Sequence, residues 1–248
     1  MSSISTTWFM TGQISTALEV YFLGVVDFDS ALFLQQRLVY EISGREDRMG
    51  GLLICEHPPI VTIGREGSRD HLLCEPGELI ARQIDVRWLN RGGGTLVHVP
   101  GQLAVYPIVP LDRLQIGLTE YRKRLEQSVM DMCGEQKIVT YRRYDEPGVW
   151  CRCGQFAFVG VAVNSWVAFH GMFVNVCPHM DIIRLVQSNR RAVSVTSLAA
   201  QRHCAIHINA VRESLARHLT TQLGYHQAHY YTGHPLLRRT KKNIHAYA

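Results

Sequence analysis

An arginine, three glycines, a histidine and a glutamine fall within the string RGGGTLVHVPGQ at 91–102. Glycines without a Cβ let backbone N–H groups come close to a ligand. An imidazole can move a proton near neutral pH. The string is not a Walker A loop, because no Gly-Lys-Ser/Thr follows. Nor is it a dinucleotide fingerprint, since a proline and the strand-like LAVYPI follow instead of a helix. On its own, the triple glycine of Gly92, Gly93 and Gly94 reads more readily as a tight turn, and a lone His98 as a structural residue.

Other reactive side chains form weaker patterns. Seven cysteines make an odd count with no Cys-x-x-Cys pair, which argues against a secreted disulfide framework and for free thiols. Cys151 and Cys153 flank one arginine in a strand-like segment, where alternation predicts a shared face. These two and Cys177 read as packed strand residues first and nucleophiles second, since a free thiol behaves as a small hydrophobe. His226, His229 and His234 form no complete metal-ligand set.

The chain has 248 residues, 46% hydrophobic and 19% charged, an ordinary globular composition. Its net charge of +5 suits an acidic partner but is too small to argue for nucleic acid. Four lysines are present, Lys123, Lys137, Lys241 and Lys242, so 138–240 contains none. No stretch reaches the roughly 20 apolar residues of a membrane span, and MSSISTTWFMTGQ lacks a signal peptide's charged start and apolar core. A soluble, cytoplasmic protein is expected.

The elements that must position these groups follow from periodicity. LEVYFLGVV at 18–26 predicts a strand. Asp27 or Asp29 is placed to cap a helix bearing Leu34, Leu38, Val39 and Ile42, and Gly44 to stop it. GGLLICEHPPIVTIG predicts two strands broken at Pro58-Pro59. Further strands are expected at 86–89 and 103–109, then a helix from Thr119 to about Cys133. A meander of strands is expected over 138–177, and an amphipathic helix over 206–223 ended by Gly224. Mixed elements without βαβ alternation predict one α+β domain with a largely antiparallel sheet. Its expected bounds are 18–225, after a loosely ordered 1–17 and before a basic, His-containing tail at 226–248.

Several strings together resemble the lipoyl(octanoyl) transferase family. They are CEHPPIVTIGR with its downstream DHLL, RGGGTLVHVPGQ with LAVYPI, GQFAFVGVAV, FHGMFVNV and SVTSL, spanning roughly 19–223. The resemblance implies a biotin/lipoate protein ligase-type fold and transfer of an octanoyl group from acyl carrier protein to a lysine of a lipoyl domain. It implies a thioester intermediate, an acyl tunnel and no cofactor or metal. Substrate-binding stretches carry over as Arg91–His98, Phe158-Val159-Gly160 and Gly171-Met172-Phe173. The family uses a cysteine nucleophile activated by a lysine. Counting back from Gly160 puts Gln155 at the lysine position, and counting back from Thr196 puts Ser188 at the cysteine position, with Asn189 as the alternative register.

These departures matter chemically. A thiol needs only a modest pKa drop to become a nucleophile, and a nearby ammonium supplies it. A serine hydroxyl stays protonated and needs a positioned base. Gln155 cannot be that base, and no lysine from 138–240 can replace it. His98 or His170 can, though the sequence shows no acid to orient either. Octanoyl transfer through Ser188 and non-catalytic binding of an acyl chain or lipoyl domain are both open. Expected partners are octanoyl-acyl carrier protein and lipoyl domains of 2-oxoacid dehydrogenases or the glycine cleavage H protein. Neither nucleic acid nor membrane is expected, and a monomer is.

Overall fold

The computed structural model describes residues 17–188, 194–201 and 206–237. Eleven strands and five helices follow in the order β1 (Ala17–Val25), α1 (Phe28–Ser43), β2 (Gly50–Glu56), β3 (Ile60–Ile63), α2 (Pro76–Ala81), β4 (Asp85–Trp88), β5 (Thr95–His98), β6 (Gln102–Pro110), α3 (Leu118–Glu135), β7 (Thr140–Tyr141), β8 (Gly148–Cys151), β9 (Gly154–Asn164), β10 (Val167–Asn175), α4 (Met180–Ile183), α5 (Ile208–Gln222) and β11 (Gln227–Thr232).

Eight strands form the main sheet in the order β11-β1-β2-β6-β10-β9-β8-β7. The pairs β11–β1 and β1–β2 are parallel, and the other five are antiparallel. A second sheet, β4-β3-β5, carries the segment around the glycine string. The α+β, largely antiparallel architecture expected from the sequence is the one observed.

Alternation along the strands splits the core between the sheet's two faces. Leu52, Ile54, Leu103, Val105, Met172 and Val174 join Leu125 and Val129 of α3 and Leu215 and Leu219 of α5. Leu53, Ala104, Tyr106, Ile108 and Phe173 point the other way, onto Leu34, Leu38, Val39 and Ile42 of α1. Leu34 is fully buried, a burial worth about 1.5–3 kcal/mol. Asp27 caps α1 by accepting from Ser30 N at 3.0 Å, and Gly44 ends it. A third cluster, including Val61, Ile63, Val97, Leu185 and Val186, packs the small sheet against the chain around α4.

Three local expectations need correction. The N-cap of α3 is Gly117, and Thr119 lies inside the helix. Cys151 and Cys153 do not share a face: Cys151 is buried at the end of β8, and Cys153 sits exposed in the β8–β9 turn. The domain also does not end at residue 225. Residues 227–232 form β11, and Gln227 pairs with Ala17 itself. Apart from Ala228, the side chains of QAHYYT are exposed, which is why it read as tail. The basic residues Arg238, Arg239, Lys241 and Lys242 lie outside the described residues. Among the described residues no His/Cys/Asp/Glu group could hold a metal, and no helix is long and apolar enough to cross a membrane.

Candidate active site

The glycine string turns between β4 and β5. Its carbonyls are taken by the chain after β3: Gly94 O accepts from Gly64 N at 3.1 Å, Gly93 O from Glu66 N at 3.1 Å and Arg91 O from Arg65 N at 2.9 Å. Gly93 has φ +80, where a Cβ is unfavourable. Gly92 N donates to Val161 O at 2.9 Å, which lays the loop on β9 of the main sheet. The approach is so close that a methyl group on Gly160 would sit 2.5 Å from Gly92 O. A glycine in β9 is therefore what brings the two sheets together here.

A one-way series of buried hydrogen bonds runs away from this loop. Arg91 Nη2 donates to Thr62 Oγ1 at 2.7 Å and Thr62 O at 3.1 Å. The Thr62 hydroxyl has one hydrogen, which it donates to His98 Nε2 at 2.8 Å. His98 Nδ1–H donates to Gln102 Oε1 at 2.8 Å, and Gln102 Nε2 donates to Asn175 Oδ1 at 2.9 Å. Asn175 Nδ2 closes the series on Thr196 O at 3.1 Å. Directions follow from Arg91, which can only donate, and from the Gln102 amide nitrogen, which also donates to Val97 O at 3.2 Å. His98 is thus neutral with both nitrogens committed, and burial holds its pKa well below the usual histidine value. The Arg91 guanidinium has no ion-pair partner among the described residues, and burial lowers its pKa to about 10, so it stays charged at neutral pH.

Beside the loop is a cavity of about 60 Å³. Arg91, Gly93, Gly94 and Leu96 form one wall, and Phe158 and Val159 of β9 line it too. Gln155, the Asp145-Glu146-Pro147 loop, Gln187, Ser188, His71 and Glu66 complete the lining. Buried Glu126 of α3 anchors that loop, accepting from Gly148 N at 3.0 Å and from Arg142 Nε at 3.2 Å. Desolvation raises the Glu126 pKa. Gln155 is buried in β9. Its backbone N donates to Ser194 O at 2.9 Å, and its O accepts from Thr196 N at 2.9 Å. Its side-chain Nε2 donates to Ala157 O at 3.2 Å and Pro147 O at 3.4 Å.

Ser188 reaches the cavity through a short ladder. Leu72 bridges Val186 antiparallel, Leu73 N donates to Leu185 O at 2.8 Å, and Gln187 N donates to His71 O at 2.7 Å. Ser188 is largely buried, with its carbonyl near Gly94.

The sequence-derived site residues divide between this cavity and its supports. Arg91, Gly93, Gly94, Gln155, Phe158, Val159 and Ser188 line it. Gly92 and Gly160 do not, but seat the loop on β9. His98 lies behind the wall with Phe173, ring centroids 4.3 Å apart. Met172 and Phe173 are core residues of opposite sheet faces, and Gly171 gives β10 room beside Val105 O of β6. His170 is buried, held at φ +55 by its N donating to Gln35 Oε1 at 2.9 Å, and is outside the lining. Cys151, Cys153 and Cys177 are also outside it. Sequence reasoning missed His71, Glu66, Asp145 and Glu146. The DHLL string held His71, and DEP before GVW held the two acids, but neither carries spacing that marks a site.

Residues 27–220 match the model of the lipoyl protein ligase A/B catalytic domain. The chain is 36% identical over 183 residues to an octanoyltransferase of Geotalea uraniireducens, covering 72% of this chain and 80% of that one. This protein belongs to the lipoyl(octanoyl) transferase family. An octanoyltransferase of Geobacter metallireducens is 34% identical over 195 residues, 78% of this chain and 88% of the relative. In fold, the chain is similar to a lipoate-protein ligase A solved with ATP bound, with a TM-score of 0.73 at 13% identity over 88% of this chain and 90% of the other. A bipartite lipoate protein ligase of Thermoplasma acidophilum gives 0.71 at 13% identity, over 90% and 89%.

Proposed function

We propose that this protein moves an octanoyl group from acyl carrier protein to a lipoyl-domain lysine, with Ser188 as nucleophile in the cysteine's place. The reading rests on family membership and on one observation: Ser188, Gln155 and the glycine loop line one cavity. The Ser188 hydroxyl attacks the thioester carbonyl, the carbon–sulfur bond breaks, and an oxygen ester of octanoate forms. The acceptor amine then displaces Ser188 to give the amide. The buried Arg91 charge and the Gly93 and Gly94 amides are the groups suited to stabilising the developing oxyanion. Phe158, Val159 and Leu96 supply apolar surface for the acyl chain, each buried methylene contributing about 0.8 kcal/mol.

A pseudoenzyme is the second reading. It is favoured by Gln155, whose amide donates to backbone carbonyls and supplies no charge. Intact-mass analysis after incubation with octanoyl-acyl carrier protein separates the two. Transfer predicts an adduct on the protein that maps to Ser188 and passes to an added lipoyl domain. Absence of both adduct and product, with octanoate still binding better than butanoate, supports the binder.

A further inference from the structure

We propose that His71 is the general base that deprotonates Ser188, taking over the task of the family's lysine. This rests on Ser188 being the nucleophile, and four observations support it.

First, among the described residues His71 is the histidine that shares the cavity with Ser188, whereas His98 and His170 lie outside its lining. Second, the ladder ties the two places together: His71 O accepts from Gln187 N at 2.7 Å, the residue next to Ser188. Third, the tautomer is fixed by a neighbour. The single hydrogen of the buried Thr95 hydroxyl goes to Ser68 O at 3.0 Å. Thr95 Oγ1, 3.4 Å from His71 Nδ1, can then only accept, so Nδ1 carries the hydrogen and Nε2 keeps its lone pair. Fourth, the other groups facing the space are poorer bases for a hydroxyl. Arg91 is a cation, and Glu66, Asp145 and Glu146 each already hold another interaction.

In the resulting step, Ser188 Oγ bonds to the thioester carbon as its proton passes to His71 Nε2. Collapse breaks the carbon–sulfur bond, and the imidazolium returns the proton to the departing thiolate. In the second half, Nε2 takes a proton from the attacking lysine amine and gives it to the leaving Ser188 oxygen. The net change is thioester plus amine to amide plus thiol, with His71 unchanged.

The test needs no acyl substrate. In Ser188→Cys, the rate of iodoacetamide alkylation at position 188, followed by peptide mass spectrometry against pH, reports the thiolate there. An imidazolium beside the thiol should bring the midpoint below the ordinary value of about 8.5. Adding His71→Asn keeps a donor for Thr95 and removes the base. It should slow alkylation at pH 7 about tenfold or more and move the midpoint up. Identical profiles with and without His71→Asn overturn the proposal. The unsubstituted chain gives a second reading should that variant fold poorly. Ser188 should react with a fluorophosphonate at a rate that rises with pH through the histidine range. No labelling of Ser188, or labelling indifferent to that range, overturns it as well. Octanoyl transfer that fails while both pH profiles hold refutes the proposed reaction and leaves the pair standing. Transfer that survives His71→Asn undiminished refutes the pair alone.

Discussion

Leading away from the cavity, Arg91, Thr62, His98, Gln102 and Asn175 pass hydrogen bonds in a single direction to Thr196 O, and every partner is buried. Within the lining, Ser188, His71, Gln155 and the 145–147 loop are held chiefly by their backbones, through ladders and one carboxylate anchor. The first set tolerates little, because each side chain satisfies the next and a missing link strands two buried groups. The second fixes where side chains sit while leaving their identity freer. The family's RGG and PGQ string lies in the first, and Ser188 and Gln155, the positions proposed for the family's cysteine and lysine, lie in the second.

The sharpest way to break this comparison is Ser188→Ala. Octanoyl transfer should fall about 1,000-fold, equivalent to about 4 kcal/mol, with the melting temperature unchanged. An undiminished rate would place the nucleophile elsewhere and send attention to Cys151, Cys153 and Cys177 in turn. In the first set the expected loss is of stability. His98→Ala leaves both Thr62 and Gln102 short of a partner and should cost about 3 kcal/mol in urea denaturation. A cost below about 1 kcal/mol would show that the series is not a structural unit.

Acid should attack three buried histidines: His98, His170 and His57, whose ring is hydrogen-bonded to Val26 O and Tyr106 OH, each at 2.7 Å. Burial lowers the pKa of His57 to about 4 and of His170 to about 3, and pushes His98 well down. The unfolded chain binds these protons below about pH 6.5, and the folded chain does not until its lower values are reached. Stability is therefore full above pH 6.5 and declines as pH falls toward 4. His57 and His170 each contribute about 1.5 kcal/mol of loss between pH 6.5 and 5. Chemical denaturation midpoints across that range measure the slope, and a flat profile contradicts the assignment of neutral imidazoles.

Smaller effects sharpen the contrast. Gly160→Ala forces the loop off β9 and should cost about 2 kcal/mol of stability together with acyl-chain binding, read by calorimetry. In a Ser188→Cys background, adding Gln155→Lys should raise transfer by more than the two single effects combined, a coupling of about 1 kcal/mol. Strict additivity would mean that positions 155 and 188 do not act as a pair.

Most of the fold was legible because its strands and helices announce themselves locally. Asp27 and Gly44 bracket α1, and Leu34, Leu38, Val39 and Ile42 mark its buried stripe. β11 was missed because QAHYYT is an edge strand with largely exposed side chains, so no apolar alternation betrays it. Resemblance singled out Gly93, Gly94, Ser188 and Gln155, which line one cavity. His98 was placed in the site because a histidine inside a family string reads as chemistry, yet its partners Thr62 and Gln102 make it part of the frame. His71 was passed over because its meaning comes from Thr95 and Gln187, which only the fold brings beside it.

The parallel pairing of β11 with β1 bears on how the molecule is made. Ala17 and Gln227 are about 210 residues apart in the chain, yet adjacent in the sheet. A ribosome adding about 5–20 residues per second completes β1 on the order of 10–40 s before its outer neighbour exists. During that interval one row of β1 amides and carbonyls has no native partner, the condition under which nascent strands pair with other chains. Among the described residues, the last strand synthesised is thus the one that ends the exposure of the first.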